Sequence, residues 1–377
     1  MIIKSKRVWG ESTFSPAALL IENGKVAKWL PYDSKADVDY NNHMIIPGLI
    51  DIHTHGGFGC DAIDTDEQGI KTWVKGVTKF GTTSLLVTTF SCSHQTQIKS
   101  IENVVNVVND GYSGAEILGI YLEGPFLGTE YVGGMDIKYI INPDIDEYNS
   151  YHKVADGLIK ICAVAPEKPG AAEFIDHLVK LNVIPTAAHT AATFEQINEA
   201  NKHGLLNMTH TYNCMSPLKH RDPGCVGAAM LNDNLYAELI CDNSMVSVPA
   251  CKILAKMKGK EKLILVTDSL ALQGMPPGIF DCGGFCAEVT QDGSVKEVGT
   301  GMYLGSTLGL NNILRIAVQL CEMDLETAIN ASSYNAARLL NIADKKGRIL
   351  PGYDADIAVF DDDFNTIQTY CKGVSQL

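Results

Sequence analysis

The chain has 377 residues, of which 46% are hydrophobic, and its 30 Lys and Arg against 44 Asp and Glu give a formal net charge of −14. This length and apolar content exclude a disordered chain and fit either one large α/β barrel with an appended domain or two ordinary domains. The acidic balance argues against general binding to nucleic acid or to an anionic membrane surface, because the field of the protein repels phosphate groups.

Residues 1–7 are basic but lack the apolar region and cleavage site of a secretory signal. Nor does any apolar run approach the ~20 residues of a membrane span. We therefore expect a soluble, cytoplasmic protein. Its eleven cysteines are scattered from Cys60 to Cys371 without a CxxC pair, which predicts reduced and mostly buried thiols rather than a disulfide framework or a zinc ribbon.

Both ends of the chain carry strand signals. Asn23-Gly24 separates two short strand-like runs, which is typical of a tight β-hairpin. Near the other end, a run at 356–360 follows a segment rich in turn residues. Because an isolated hairpin is only marginally stable, the two ends are predicted to form one small β domain from residues 1–48 and 346–377.

Between the two terminal segments, short apolar runs alternate with helix-like segments. Eight runs have the length of strands, at 49–52, 84–87, 117–122, 158–164, 183–188, 207–209, 237–241 and 263–267. Their spacing is that of βα units and predicts a parallel (β/α)8 barrel over residues 49–345. In one unit, Thr193 and Gln196 form a capping box that begins a helix, and Gly204 ends it.

A doubly wound parallel sheet is the alternative fold. That fold requires a glycine fingerprint for phosphate binding after its first strand. Gly56-Gly57-Phe58-Gly59 lacks the required spacing and follows two histidines. The barrel is therefore favoured.

Candidate chemical groups occur where the predicted barrel strands end, which is where functional side chains of such barrels gather. The first strand ends in His53 and His55, which lie on one face because side chains alternate along a strand. Four other strands are each followed by one further candidate, namely Glu123, His189, His210 and Asp268. A single such residue is more often a hydrogen-bonded structural group. Four imidazoles buried beside two carboxylates, however, need a cation or dense hydrogen bonding to offset the cost.

This convergence predicts a site for one or two divalent ions, because imidazole and carboxylate ligands suit such metals. One ion is expected at His53, His55 and Glu123, and a second at the same carboxylate together with His189 and His210. Zinc is the first expectation, with iron and manganese open. The aspartate after the eighth strand would then face a water whose pKa the metal lowers to ~7, and would carry the proton to a leaving group. Hydrolysis is the predicted chemistry.

Five segments also resemble a known family. They are IPGLIDIHTHG at 46–56, YLEGPF at 121–126, AAHT at 187–190, HTYNCMSP at 210–217 and LVTD at 265–268. In this order, and over residues 46 to about 361, the chain resembles the N-acetylglucosamine-6-phosphate deacetylases of the amidohydrolase superfamily. The HxH pattern is typical of the whole superfamily, whereas LEGPF together with NxMSP is specific to the deacetylases.

The resemblance implies a distorted (β/α)8 barrel with a small β-sandwich domain built from both termini. It implies removal of acetate from an N-acetylated amino-sugar 6-phosphate, commonly in a homodimer. Arg221 matches the phosphate-binding arginine of the family, and the backbone of Asn213 and Cys214 matches its phosphate loop. A guanidinium forms paired hydrogen bonds with phosphate oxygens, although an arginine in a polar loop is otherwise an ordinary solvated charge. Some members keep only one zinc ion because the first-strand histidines are replaced, whereas His53 and His55 leave a dinuclear centre open here.

Two positions depart from the family pattern. Met135 stands where the family has a loop histidine associated with polarising the acetyl carbonyl, and Met245 stands where it has a substrate-contacting histidine. Methionine donates no hydrogen bond, so the sugar or acyl group must be held differently or must itself differ. We expect an ion at His53 and His55 to polarise the carbonyl instead. The alternative is that both methionines are packing residues in loops.

Three alternative functions stay open. Within the favoured chemistry, N-acetylgalactosamine 6-phosphate is the second substrate after the gluco epimer. A cyclic-amide hydrolase of the dihydroorotase or hydantoinase type would bridge its metals with a carbamylated lysine at the end of the fourth strand, but Lys160 lies near the start of that strand. A non-catalytic barrel scaffold fits the loss of two loop histidines but not the retention of every candidate ligand and of Asp268.

Overall fold

This computed structural model describes residues 1–64, 66–281, 286–291, 294–301 and 303–377. The strands are β1 (Ile2–Gly10), β2 (Thr13–Glu22), β3 (Lys25–Leu30), β4 (Val38–Asp39), β5 (Met44–Pro47), β6 (Leu49–Thr54), β7 (Gly56–Gly57), β8 (Cys60–Asp61), β9 (Thr82–Phe90), β10 (Glu116–Glu123), β11 (Ile159–Val164), β12 (Ile184–Ala187), β13 (Asn207–Met208), β14 (Tyr236–Leu239), β15 (Leu263–Leu265), β16 (Gly278–Asp281), β17 (Cys286–Val289), β18 (Ser294–Glu297), β19 (Tyr303–Ser306), β20 (Ile357–Phe360), β21 (Thr366–Cys371) and β22 (Val374–Ser375).

The helices are α1 (Glu67–Gly76), α2 (His94–Asp110), α3 (Ile145–Val154), α4 (Ala171–Lys180), α5 (Phe194–His203), α6 (Gly224–Leu231), α7 (Val248–Lys262), α8 (Leu310–Gln319), α9 (Leu325–Ile329) and α10 (Asn335–Leu339). Two 3-10 turns lie at Val77–Phe80 and Ile137–Tyr139, and a π-helical segment lies at Asn330–Tyr334. Among the described residues, no helix combines the length and the apolar character that a membrane span requires.

Eight parallel strands form the barrel, in the order β6-β9-β10-β11-β12-β13-β14-β15. Each of the eight predicted apolar runs overlaps one of these strands, so the barrel prediction is confirmed. Most residues of these strands are buried on both faces. Because one face points into the barrel and the other packs beneath the helices, these strands show no regular alternation of apolar and polar residues, and β9 buries several threonines along with its apolar residues.

The two ends of this strand order, β6 and β15, meet at the C-terminal end of the barrel. The amide of Asp268 donates to the carbonyl oxygen of His53 at 2.9 Å. The hydroxyl of Thr267 donates to the Asp51 carboxylate at 2.6 Å. Burial raises the pKa of Asp51 to about 7, although hydrogen bonds from Thr267 oppose that shift. These contacts bring the end of the eighth strand beside the two histidines of the first.

Helix α5 has the boundaries expected from its capping residues. The Thr193 hydroxyl accepts from the Gln196 amide at 3.2 Å, and the Gln196 side chain accepts from the Thr193 amide at 2.8 Å. Gly204 follows the helix with φ of +111°, a left-handed conformation that favours glycine. The reciprocal cap therefore fixes where the fifth βα unit turns from its loop into its helix.

The small β domain comes from both termini, as predicted. Its strand order is β22-β21-β20-β5-β1-β2-β3, with β4 beside β1, and the Asn23-Gly24 turn joins β2 to β3. Val26 at one end of this order and Tyr370 near the other end belong to the same apolar core, so the sheet wraps around that core. The proposed domain limits at 48/49 and 345/346 stay a prediction.

Lys346 is buried where the small domain meets the N-terminal end of the barrel. Its Nζ lies 2.6 Å from Oε2 of Glu116, at the start of β10, and 3.1 Å from Oδ2 of Asp354. It also pairs with Asp356, next to β20. Burial alone would lower the pKa of Lys346, but the surrounding carboxylates outweigh burial and raise it. The ion pairs therefore connect the barrel to the terminal sheet.

A third sheet follows the last barrel strand and was not predicted. Strands β16 to β19 pair antiparallel in chain order. Within the described residues its apolar core is small and consists chiefly of Leu272, Ala287, Val289 and Val295. The free energy from burying so little apolar surface is modest, so we do not expect this sheet to fold as a domain by itself.

The cysteines agree with the expectation of reduced and mostly buried thiols. All ten described cysteines are free, and six of them are buried. Cys286 is exposed. Cys282 lies outside the described residues. The chain described here therefore has thiols within its core and no disulfide between described cysteines.

Candidate active site

The four histidines and two carboxylates predicted at strand ends converge at one end of the barrel. Each of the histidines, and Glu123, is at most 5% exposed. His189, His210 and Asp268 follow their strands in the left-handed backbone region, with φ of +43°, +29° and +48°. Such a conformation is uncommon for residues with a Cβ and is concentrated at functional sites. Here it turns each side chain toward the barrel axis just past the end of its strand.

His53, His55 and Asp268 form the first group. The Nε2 atoms of the two imidazoles are 3.3 Å apart. Oδ1 of Asp268 lies 3.5 Å from Nε2 of His53 and 3.1 Å from Nε2 of His55. The side chain of Asp268 is 17% exposed, more than those of the two histidines. This carboxylate therefore stands between the buried imidazoles and the open mouth of the barrel.

Glu123 connects this pair of histidines to a second pair. Its Oε2 lies 3.1 Å from Nε2 of His55 and 3.5 Å from Nε2 of His53. Its Oε1 lies 2.8 Å from Nε2 of His210 and 3.2 Å from Nε2 of His189, and these two nitrogens are 3.3 Å apart. Each oxygen of one carboxylate thus serves one pair of imidazoles, which is the arrangement of a bridging ligand.

The donor atoms fit divalent cations. In two groups, one formed by His53, His55 and Asp268 and the other by Glu123, His189 and His210, the potential ligand atoms lie within 4.8 Å of one another. Ligand bonds of ~2.0–2.2 Å from one ion would reach three atoms spaced in this way after small rotations. Within each pair of histidines the two Nε2 atoms are 3.3 Å apart, so one ion could accept a lone pair from both.

The electrostatics of the site also favour a cation. Burial lowers the pKa of His55, but hydrogen bonds to Asp268 and Glu123 outweigh burial and raise it to about 9. Burial raises the pKa of Asp268, yet the charge on His53 and the contacts with His55 bring it down to about 2. The carboxylates thus favour positive charge within this buried site. A divalent ion would supply that charge in place of the imidazole protons, which it would displace.

Sequence reasoning missed Glu238, which lies directly behind the first group. Its Oε2 is 2.8 Å from Nδ1 of His53 and accepts from the backbone amide of His210 at 3.2 Å. Its Oε1 accepts from the side chain of Asn207 at 2.6 Å. Glu238 is fully buried within the apolar strand β14. The sequence signal was this single charge in an otherwise apolar run.

Other histidines are oriented by backbone carbonyls. Nδ1 of His55 donates to the carbonyl of Thr88 at 3.1 Å, and Nδ1 of His189 donates to that of Tyr131 at 2.9 Å. A proton on Nδ1 leaves Nε2 as the lone-pair nitrogen, and Nε2 is the atom that faces the cavity in each ring. In the described part of the chain, Nδ1 of His210 has no such partner.

The predicted phosphate residues lie after the sixth barrel strand. Asn213 and Cys214 follow His210 closely, and Cys214 has φ of +50°. Nδ2 of Asn213 is buried and has no hydrogen-bond partner among the described residues, so it is a donor available to a ligand. Arg221 is exposed in the next loop, and the described structure gives its guanidinium no hydrogen-bond or ion-pair partner. The structure therefore holds Asn213 in the turn after His210, where its backbone amide donates to the His210 carbonyl at 2.9 Å, and leaves Arg221 at the surface.

The loop after β10 lies against this second group of ligands. Gly133 has φ of +60°, and a Cβ built on it would lie 2.6 Å from Sγ of Cys214 and 3.2 Å from Cε1 of His189. Neither neighbour could be avoided without moving the loop or the imidazole. Sequence reasoning missed this contact, and the only available signal was the pair Gly133-Gly134 beside Met135.

Met135 and Met245 are half-buried and pack on one apolar cluster inside the barrel, which includes Leu127 and Ile240. This packing accords with the second interpretation given for them, that of apolar residues filling space beside the site. In either interpretation they offer a sugar no hydrogen-bond donor.

Lys160 does not approach the ligand groups. Its ammonium donates to the carbonyl of Gly157 at 2.8 Å, before the start of β11. The place between the two pairs of histidines is taken by Glu123. Lys160 therefore does not supply the carbamylated lysine that a dihydroorotase or hydantoinase type of site needs.

Most of the chain is similar to known proteins. Residues 44–375 match the model of the Amidohydrolase family. The chain is 34% identical over 346 residues to the N-acetylglucosamine-6-phosphate deacetylase of Bacillus subtilis (strain 168), covering 91% of this chain and 87% of that protein. It is 32% identical over 330 residues to the N-acetylgalactosamine-6-phosphate deacetylase of Escherichia coli O157:H7, covering 88% and 87%.

Solved structures match over the same extent. The N-acetyl-D-glucosamine-6-phosphate deacetylase from Mycobacterium smegmatis superposes with a TM-score of 0.94 at 26% identity, covering 100% of both chains. The N-acetylglucosamine-6-phosphate deacetylase from Thermotoga maritima gives a TM-score of 0.88 at 28% identity, covering 100% of this chain and 99% of that one. The likeness therefore includes the barrel and the terminal sheet alike.

Proposed function

Because the chain belongs to the N-acetylglucosamine-6-phosphate deacetylase family of amidohydrolases, we propose that it hydrolyses the acetamide bond of an N-acetylated amino-sugar 6-phosphate. The products are acetate and the amino-sugar 6-phosphate. N-acetylglucosamine 6-phosphate is the preferred candidate among such substrates. The observation that carries this proposal is the position of Glu123, which offers one oxygen to each of two pairs of buried imidazoles.

Enzymes of this family depend in general on divalent metal ions, and the chain has groups that can hold them. We propose that His53, His55, Glu123, His189 and His210 are the ligands, with Glu123 shared between two positions. Zinc is the first choice, and iron or manganese would suit the same donors. A divalent cation bound there polarises the acetyl carbonyl and lowers the pKa of an attacking water.

Asp268 is the proposed proton carrier. Its low pKa keeps the carboxylate ionised at neutral pH, and it is the most exposed of the six side chains. The carboxylate accepts a proton from the attacking water as the new C–O bond forms. It then delivers that proton to the sugar nitrogen as the C–N bond breaks, so that the amine leaves neutral.

Glu238 and the backbone carbonyls behind the imidazoles are proposed to keep the ligand atoms in place. With Nδ1 of His53 bound to Glu238, and that of His55 bound to Thr88, neither ring can rotate without losing a buried hydrogen bond. An unpaired buried donor costs about 1–3 kcal/mol, and more where the partner is charged. The rings therefore stay directed at the cavity before substrate arrives.

For the 6-phosphate, we propose the free amide of Asn213, the backbone around Cys214 and the guanidinium of Arg221. The net charge of −14 repels an anion, so a cluster of local donors is needed. Arg221 is exposed and unpaired in the described structure, which leaves its guanidinium able to turn toward a phosphate. The relative from Escherichia coli acts on the galacto epimer, and that substrate is the second candidate.

The test measures kcat/KM for both epimers, each with and without the 6-phosphate, by acetate release. We expect N-acetylglucosamine 6-phosphate to exceed the galacto epimer by about tenfold or more, since one hydrogen-bonded hydroxyl separates them. A cyclic ureide serves as the negative control. Turnover of the ureide in place of the amino sugars would move the assignment to the cyclic-amide hydrolases, and no turnover with any divalent metal would favour a scaffold.

A homodimer in the cytoplasm is proposed from the family resemblance. Light scattering on the purified protein measures the assembly directly, and a mass equal to one chain would contradict the dimer.

A further inference from the structure

Three cysteines outside the candidate active site share one buried location. Cys241 follows β14, Cys251 lies in the first turn of α7, and Cys321 follows α8. They are 0%, 0% and 3% exposed. Their sulfur atoms all lie within 4.8 Å of one another, and those of Cys241 and Cys321 are 3.5 Å apart. Three separate elements therefore deliver one thiol each to the same point.

The spacing of these sulfur atoms suits one metal ion. With Zn–S bonds of about 2.3 Å, sulfur atoms around a tetrahedral ion are about 3.8 Å apart, and those around a trigonal ion about 4.0 Å apart. A disulfide requires about 2.05 Å, so no two of the three thiols are at bonding distance. The thiol of Cys251 also lies 3.5 Å from the carbonyl oxygen of Val246, which is an oxygen at hand for a fourth position.

A basic residue lies beside the three thiols. Lys252 follows Cys251 in the first turn of α7, and its ammonium lies 2.9 Å from Oε2 of Glu322, the residue after Cys321. Cys321 is 3% exposed, against 0% for the other two thiols, and its neighbour Leu320 is 46% exposed. Cys321 is therefore the thiol nearest to solvent.

The other candidate ligand cluster outside the active site, and the other buried cysteines described, do not suit a metal ion in the same way. The group of Glu116, Asp354 and Asp356 already surrounds the ammonium of Lys346. Cys162 and Cys225 are buried but belong to no ligand group, as expected for cysteine used as a small apolar residue.

We propose that Cys241, Cys251 and Cys321 form a three-thiol site for one soft metal ion of the zinc and cadmium class, separate from the active site. Soft thiolate ligands select such ions over magnesium or calcium. The site would also touch the substrate side of the barrel. Asp242, next to Cys241, accepts from the amides of Ser244 and Met245 at 2.8 Å each. An ion at the three sulfurs therefore anchors the loop that carries Met245 to α7 and to the end of α8.

The test titrates Cd²⁺ into the full chain after reduction and removal of bound metal. It follows the ultraviolet charge-transfer absorbance of cadmium thiolates, which imidazole and carboxylate ligands do not produce. At saturation we expect the absorbance of three thiolates per chain, whatever the order in which the thiol site and the active site fill. Cys321→Ser, at the most accessible of the three positions, is expected to weaken this binding by about 100-fold or more, since even indirect supports of a metal site are worth 10–100-fold.

Two control variants locate the signal. Cys214→Ser removes the thiol beside the candidate active site, and Glu123→Gln alters that site without touching a thiol; both are expected to retain the absorbance. If the unaltered protein gives no thiolate absorbance even when Cd²⁺ is in excess over the thiol site and the active-site ligands together, the proposal fails, and that result does not depend on any variant folding. A signal lost in Cys214→Ser but kept in Cys321→Ser would also overturn it. Neither result bears on deacetylation, which acetate release measures separately.

Discussion

The carboxylate of Glu238 lies 2.8 Å from Nδ1 of His53, and neither side chain is exposed to solvent. Glu238 is on β14 and His53 is on β6, and these strands are not neighbours in the barrel sheet. The hydrogen bond therefore crosses the barrel interior and fixes one imidazole from behind. A group that never faces the substrate thus decides where a candidate ligand atom points.

Glu238→Gln should reduce metal affinity by about 10–100-fold, because the amide loses the charge that holds the Nδ1 proton of His53. Titration against a competing chelator measures this affinity directly. The matched control is Glu173→Gln, at an exposed position on α4, which should bind metal as the unaltered protein does. Unchanged affinity in Glu238→Gln would mean that the carboxylate does not act through His53.

His53→Ala should lower kcat for N-acetylglucosamine 6-phosphate by about 10³-fold, a loss typical of removing one preorganised electrostatic group. The reason is that Met135 cannot polarise the acetyl carbonyl, so the group held at His53 and His55 must do so. Acetate release gives the rate, and His94→Ala at an exposed position is the control. A near-normal rate in His53→Ala would contradict the proposal that a group held at His53 and His55 replaces the loop histidine of the family.

Asp268→Asn should lower kcat by about 10²–10⁴-fold while substrate still binds, because an amide occupies the same space but cannot accept the proton. Calorimetry with the variant measures substrate binding, and acetate release measures turnover. We expect a binding constant within a few-fold of that of the unaltered protein. A kcat within tenfold of normal would assign the proton transfer to another group.

Gly133→Ala should impair the site, because the new Cβ would lie 2.6 Å from Sγ of Cys214 and close to His189, and because φ of +60° is strained for alanine. We expect a fall in kcat/KM of about tenfold or more, the effect of a small misplacement in a positioned site. Gly134→Ala is the matched control, since its Cβ would meet nothing within 4 Å. Equal rates in the two variants would show that His189 tolerates movement of this loop.

Lys346→Met should lower the free energy of unfolding at pH 7. It should also make that free energy rise, relative to the unaltered protein, as the pH falls toward 5. Burial raises the pKa of Glu116 and of Asp354, but Lys346 outweighs burial and lowers both below their ordinary values of 4.5 and 3.8. Their contribution to stability is therefore complete above those values and lost as the pH falls through the lowered ones. Burial keeps the pKa of Asp356 raised, so its contribution has the opposite sign.

Without the ammonium, buried Asp356 loses its cation, while Glu116 keeps only Lys372 and Asp354 keeps only Lys25. We expect a loss of about 3–5 kcal/mol at pH 7. The pKa values of the three carboxylates then rise, so the variant should gain stability between pH 7 and pH 5 relative to the unaltered protein. Denaturant unfolding at the two pH values measures both effects. Lys345→Met, at the exposed neighbouring position, is the control. Parallel pH profiles for the two variants would contradict the ion-pair account.

Much of the barrel could be predicted from sequence because most strands contain a short apolar run with a polar residue at the end of the strand or just past it. His53, Glu123 and Asp268 were found in this way, since the ends of parallel strands meet at one edge. Thr193 and Gly204 likewise set their helix boundaries by local hydrogen bonds alone.

Glu238 was missed for a physical reason. A strand buried on both faces has no alternation, so the sequence of β14 does not tell which residues point into the barrel. The contact of Gly133 with His189 joins two loops distant in sequence, and no local pattern encodes it. The sheet of β16 to β19 has a small apolar core as far as its described residues go, so its hydrophobic pattern was too weak to mark four strands.

The pairing of β5 with β20 has a consequence for how this chain folds during synthesis. β5 lies between β1 and β20 and immediately precedes the first barrel strand, whereas β20 follows the last helix. While a ribosome is still making the second half of the protein, Ile45 and Ile46 present an open edge that invites pairing with other nascent chains. The small β domain can therefore be completed only after β20 has been synthesised.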